Sequence, residues 1–180
     1  MDDAELLFRI SRGDEGSFKK FYERFAPRVF RYALTLVRDR YLAEEVVQET
    51  MVTVWKSAKN FRGHSQVSTW VFGIARNHAR SLLRRAPEIA EEPEGLEERG
   101  AEPVDQGERV RKALEKLPAL EREVVVLAFY QGVSYREIAE ILGIPEGTVK
   151  SRMFRARKHL RELLGLESPG PGERGDDAEV

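Results

Sequence analysis

The residues whose types and spacing could do chemistry crowd into SYREIAEILGIPEGTVKSRMFRARKHL, Ser134 to Leu160. The chemistry they suit is recognition of a polyanion. Val149, Met153, Ala156 and Leu160 recur at i, i+4, i+7 and i+11, the spacing of one buried helix face. That face leaves Lys150, Ser151, Phe154, Arg155, Arg157 and Lys158 outside. Arg and Lys so placed neutralise phosphates, and Arg also pairs with guanine edges in the major groove. Phe154 can contact a thymine methyl. The plainer alternative is a solvated basic face on a helical hairpin. It accounts less well for six basic residues set against Glu146 alone between Pro145 and Arg161, a net of +5.

What precedes this helix orients it. Ser134 with Glu137 is a capping-box pattern that starts a short helix. Gly143 supplies the positive φ of a tight turn, and Pro145 suits the first turn of the next helix. Ala139 is small where two helices approach, and Ile138, Leu142, Ile144 and Val149 supply apolar contacts. Together they form a helix-turn-helix pattern.

A second cluster, NFRGHSQVSTWVFGIARNHARSLLRR, sets Phe61, Trp70 and Phe72 beside a polar stripe of Arg76, Asn77, Arg80 and Arg84. Aromatic and basic residues around a loop holding Gly63 suit unstacked bases on a single strand. Phe72 reads better as core. Ser68 to Arg85 carries four arginines and no acid, a net of +4.

Several functions are disfavoured. The 180 residues include no cysteine, so there is no disulfide framework, thiolate nucleophile or cysteine-held metal. His64, His78 and His159 lie far apart and read as surface or half-buried histidines. No cofactor or metal is expected. A recombinase or nuclease with a helix-turn-helix tail would need a nucleophile or clustered carboxylates, and neither stands in a convincing arrangement. The first residues, MDDAELLFRI, lack the apolar run of a signal peptide, and no stretch approaches a membrane span. A cytoplasmic protein without membrane contact is the expectation.

The elements that must position these clusters read as helices throughout. Asp14 caps a helix through FKKFYERF toward Pro27, and another follows in RVFRYALTLV. AEEVVQETMVTVW then places Val46, Val47, Thr50, Met51, Val54 and Trp55 at three-and-four spacing. A further helix from Ser68 puts Val71, Ile74, Ala75, His78 and Leu82 on one face. Later, ERVRKALEKL stops at Pro118, and LEREVVVLAFY is an apolar helix. Residues 86–108 hold nine acids against Arg99, a net of −8, with Pro and Gly throughout. That composition reads as a flexible linker. The chain therefore divides into an N-terminal domain over 1–85, the linker over 86–108, a helix-turn-helix domain over 109–165 and a disordered tail over 166–180. The fold class is all-α, two small helical domains joined by an acidic linker.

One domain suited to duplex and one to open strand is an unusual pairing, and it resembles the extracytoplasmic-function (ECF) group of bacterial sigma factors. The resemblance runs from about Gly13 to Leu164. EEVVQETMVTVW is similar to the group's core-polymerase-binding helix, FRGHSQVSTWVFGIARNHARSLLRR to its −10 loop and helix, and the helix-turn-helix to its −35 reader. It implies that Glu45, Gln48 and Glu49 contact RNA polymerase core, an enzyme containing β and β′ subunits, on the β′ coiled coil. It implies that Phe61 and Asn77 hold a base flipped from the non-template strand, within a −10 set of Phe61, Arg62, Trp70, Arg76, Asn77, Arg80 and Arg84. For the −35 element the set is Arg136, Thr148, Lys150, Ser151, Arg152, Phe154, Arg155, Arg157 and Lys158. Promoter DNA and an anti-sigma factor are the other implied partners. A spacer of about 17 base pairs, at 3.4 Å per step, is near 58 Å. The linker, at about 3.3 to 3.6 Å per residue, reaches at most roughly 75 Å. The competing reading within DNA binding is a helix-turn-helix regulator acting without polymerase core.

Overall fold

The computed structural model describes residues 1–85 and 106–166, and these are helical with short turns. The stretch 86–105 of the acidic linker and the tail from 167 lie outside the described residues. Four helices build the first unit: α1 (Asp3–Ile10), α2 (Glu15–Val37), α3 (Arg40–Ser57) and α4 (Val67–Arg85). Four more build the second: α5 (Gln106–Lys116), α6 (Ala119–Val125), α7 (Tyr135–Leu142) and α8 (Glu146–Leu164). A π-helical turn, Val126–Tyr130, extends α6. The helix α5 starts at Gln106, within the last three residues of the stretch read as linker.

Aspartates start the first three helices. Asp2, Asp14 and Asp39 each accept a backbone N–H of the first turn, from Glu5, Ser17 and Leu42. These bonds satisfy donors that a helix start would otherwise leave unpaired. The bonds from the backbone and hydroxyl of Ser17 hold the Asp14 carboxyl below its ordinary pKa.

The opening residues, to which spacing assigned no element, form α1 from Asp3 and bury Leu6, Leu7 and Ile10. Two expectations are corrected. Pro27 does not separate two helices but lies inside the continuous α2. An interior proline loses one backbone bond and costs about 3 kcal/mol. Phe21, Phe25, Val29 and Tyr32, on both sides of it, are fully buried. At about 1.5–3 kcal/mol for each large apolar side chain, their burial outweighs that penalty. Trp55, expected on the core face of α3, is 37% exposed and meets the edge of Phe18 at 5.1 Å. Val46, Val47, Thr50, Met51 and Val54 are buried as their spacing requires.

Thr50 is fully buried, and its hydroxyl has no hydrogen-bond partner. Thr50→Val should therefore stabilise the first unit by about 1 kcal/mol, because an unmet polar group is replaced by a methyl of similar shape. Urea unfolding reads this out, and a loss of stability would show that the hydroxyl is bonded in solution.

The two units pack together, α4 against α7 and α2 against α6. This places the helix carrying the open-strand cluster beside the first helix of the helix-turn-helix.

Candidate nucleic-acid interface

The helix-turn-helix forms as its residues dictate. Ser134 and Glu137 make the complete capping box, and Gly143 ends α7 with φ of 64°. Pro145 is the N-cap of α8, just outside the first turn where it was expected. Val149, Met153 and Ala156 are buried, while Leu160 is only half-buried. Arg136, Lys150, Ser151, Phe154, Arg155 and Lys158 are exposed. Thr148, Arg152 and Arg157 are half-buried, and Arg157 donates to the Tyr135 hydroxyl at 3.5 Å. Phe154 stands 72% exposed among these cations, where a side chain needed only for packing would not be. Ser151 donates its hydroxyl proton to the Gly147 carbonyl at 3.0 Å and so presents mainly lone pairs outward. Lys150 is paired with Glu146 at 3.2 Å on the surface, an exchangeable contact.

Sequence reasoning missed what stands behind α8. Glu121 of α6 is buried, and its carboxylate lies 2.6 Å from His159 Nδ1 and 4.0 Å from Arg155 Nε. It holds the far end of the recognition helix and one edge of Arg155. The signal was present in Glu121, Arg122 and Glu123, three charged residues in a helix otherwise read as apolar. All three are buried, so each must find a partner.

On α4 the structure brings some of the open-strand cluster together and separates one member from it. Phe61 is half-buried and packs against Trp70, ring centroids 5.3 Å apart. Gly63, with φ of 70°, turns the loop that leads from one to the other. Asn77, Arg80, Arg84 and Arg62 are exposed. Trp70, Asn77 and Arg84 are seven residues apart in turn and so share one stripe, with about 10 Å of helix rise per interval. Phe72 is fully buried, as expected of core. His78 joins α4 to α3 through Thr53 Oγ1 at 2.9 Å, and Leu82 is half-buried.

Arg76 is the exception. It sits about 100° round the helix from Asn77, and its Nε donates to Glu123 Oε1 of α6 at 2.9 Å. Its side chain is 14% exposed and that of Glu123 6%. The same oxygen accepts the Tyr32 hydroxyl at 2.8 Å. Burial and then the neighbouring Glu123 charge push the Tyr32 hydroxyl well above its ordinary pKa. About two turns toward the N-terminus, Thr69 Oγ1 donates to Glu137 Oε1 at 2.9 Å. Burial pushes the Glu137 carboxyl up, but the bonds from Ser134 and Thr69 together outweigh it and leave its pKa lowered.

Glu45, Gln48 and Glu49 are exposed on α3. Gln48 also lines a groove between α2 and α3, together with Tyr22, Pro27, Phe30, Arg31 and Glu44. An apolar floor edged by charge suits a partner helix better than a small ligand. Among the described residues no group of histidines and carboxylates could hold a metal, and no helix is long and apolar enough to cross a membrane.

A helix-turn-helix with a basic outer face, packed on a helical unit carrying a second basic stripe, suits DNA binding. Residues 21–87 match the profile of Sigma-70 region 2, and residues 107–160 match that of Sigma-70, region 4. The ECF RNA polymerase sigma factor SigM of Mycobacterium tuberculosis is 35% identical, over 93% of this chain and 87% of its own length. The RNA polymerase sigma-H factor of Pseudomonas aeruginosa is 31% identical, over 90% of this chain and 93% of its own. Among solved structures, the sigma factor RpoE in complex with the anti-sigma factor NepR from Bartonella quintana is similar at a TM-score of 0.66 and 32% identity. That likeness covers 84% of this chain and 98% of that one. CnrH in complex with the cytosolic domain of CnrY gives 0.68 at 28% identity, covering 92% and 99%. The chain belongs to the ECF group of the sigma-70 family of RNA polymerase sigma factors.

Proposed function

We propose that this chain is an alternative promoter-specificity subunit, cytoplasmic and without catalysis of its own. It binds RNA polymerase core through Glu45, Gln48 and Glu49 of α3. It reads a −35 duplex with the outer face of α8, and holds the opened −10 strand on α4 and the Phe61 loop. The observation that carries the reading is the division of α8, with Val149, Met153 and Ala156 buried and Phe154 exposed beside Lys150, Arg155 and Lys158. A structural hairpin needs the first half of that division and has no use for the second. An anti-sigma factor is its proposed regulator, since the similar RpoE was solved in complex with one.

Occupying both promoter elements requires the units to part. Adjacent packed helices lie 8–10 Å apart, and α7 packs against both α4 and α8, so α4 and α8 are separated by at most roughly 20 Å. A spacer near 58 Å is far longer.

Core binding is the simplest part to test. Glu45→Lys combined with Glu49→Lys should lower co-elution with core polymerase by about tenfold, equivalent to ~1.4 kcal/mol. Both side chains are solvent-facing, so helicity by circular dichroism should not change. Undiminished co-elution would remove α3 from the core interface.

A further inference from the structure

The three consecutive charges buried on α6 take their partners in different directions. Arg122 donates from Nη1 to the Glu115 carbonyl at 2.8 Å, and Glu123 accepts from Arg76 and Tyr32. Glu121 reaches instead into α8, which packs on α6. Its Oε2 lies 2.6 Å from His159 Nδ1, and its Oε1 lies 4.0 Å from Arg155 Nε. Arg155 and His159 are four residues apart, so they stand one above the other on the same side of α8. A carboxylate can only accept, so His159 donates from Nδ1 and ties down one oxygen. At 4.0 Å the Arg155 contact is an ion pair and not a hydrogen bond. It aligns the guanidinium without consuming its terminal nitrogens.

We propose that Glu121 is a positioning residue for −35 recognition: anchored by His159, its carboxylate directs Arg155 toward a base edge and away from the phosphates. The inference rests on the −35 reading of α8 and adds what makes Arg155 selective. The Arg155 side chain is 59% exposed. Many rotamers of so free an arginine reach a phosphate oxygen, and few present the flat bidentate edge that guanine requires. A fixed anion behind Nε favours those few. The Glu121 side chain is only 8% exposed, so packing holds that anion in place. Its sign also points to selectivity. A negative charge beneath a DNA-binding face repels phosphates, and a residue serving affinity alone would be neutral or basic.

The test uses the full chain, a duplex pool randomised at its centre, and single-base variants of the sequence that the pool yields. Glu121→Gln keeps the shape and an acceptor for His159 but removes the charge beside Arg155. It should lower discrimination at the base pair read by Arg155 about fivefold, the lower end of what one bidentate pair supplies. Affinity for unselected duplex should not fall. In an Arg155→Ala background the same change should alter no base preference, because the pair acts as one unit. His159→Ala, at a half-buried site, releases the carboxylate and should loosen the same base pair to a smaller degree. A loss spread evenly over all sequences, equal with and without Arg155, would make Glu121 a helix anchor alone and overturn the proposal. Unchanged base preference in both single variants would overturn it too. Arg155→Ala separates this from the functional reading. If that variant relaxes one base pair and Glu121→Gln does not, the positioning alone fails. If it relaxes none, the base-reading role of Arg155 fails and the positioning with it.

Discussion

Arg155→Ala weakens binding to a −35 duplex by about 1–3 kcal/mol and relaxes the preference at one base pair. The expectation follows from how Arg155 is held. It is exposed near the middle of α8, and only its Nε approaches the buried Glu121, at 4.0 Å. The terminal nitrogens remain available for a bidentate pair with guanine. Lys158 is the control: a compact charge on the same helix, which should contribute phosphate contact without sequence information. Lys158→Ala should weaken all sequences alike and lower the salt slope by about 1. Arg157→Ala is a poorer control, since Arg157 also donates to the Tyr135 hydroxyl and its loss would disturb the packing of α7 on α8. Binding isotherms on a set of single-base variants distinguish the two effects. A uniform loss from Arg155→Ala would make it a phosphate contact.

Phe61→Ala slows promoter opening roughly 5- to 150-fold, the rate equivalent of about 1–3 kcal/mol of aromatic stacking on one base. The ring already rests against Trp70 at 5.3 Å, so a flipped base would extend an existing aromatic surface. Asn77 lies one heptad beyond Trp70 on the same exposed stripe, and its amide can both donate to and accept from a base edge. Because Phe61 is half-buried, Phe61→Ala also costs stability, and unfolding must be measured beside opening. A promoter with a pre-melted −10 bubble separates the two contributions. It should restore most of the opening lost by Phe61→Ala and none of the folding loss, while Asn77→Ala should change which −10 base is preferred. If the bubble gives no rescue and base preference survives Asn77→Ala, Phe61 is only a loop anchor and the strand is held elsewhere.

The helix-turn-helix was legible almost residue by residue because local rules decide it. A capping box, a glycine with positive φ and four spaced apolar side chains each act within a turn or two of chain. Pro27 misled because the rule that proline ends helices is also local, whereas the burial of Phe21, Phe25, Val29 and Tyr32 that overrides it depends on α1, α3 and α4. Trp55 shows the limit of periodicity: spacing places it near the core face of α3, but its bulk leaves it at the margin against Phe18. Arg76 shows a different limit. Period and polarity correctly put it off the apolar face of α4, yet nothing local tells an arginine facing solvent from one facing a carboxylate 47 residues away. Only the charged run Glu121–Glu123 inside an apolar helix hinted that such partners existed. The acidic linker, read from composition alone, lies mostly beyond the described residues.

Run-off transcription with purified core polymerase on a promoter library, with and without this chain, bears most directly on promoter specificity. The expected result is a set of transcripts that require both core and this chain and whose promoters share one −35 and one −10 sequence at a fixed spacing. Tight −35 binding with no core-dependent transcript from any promoter would contradict it and leave a helix-turn-helix regulator that acts without core.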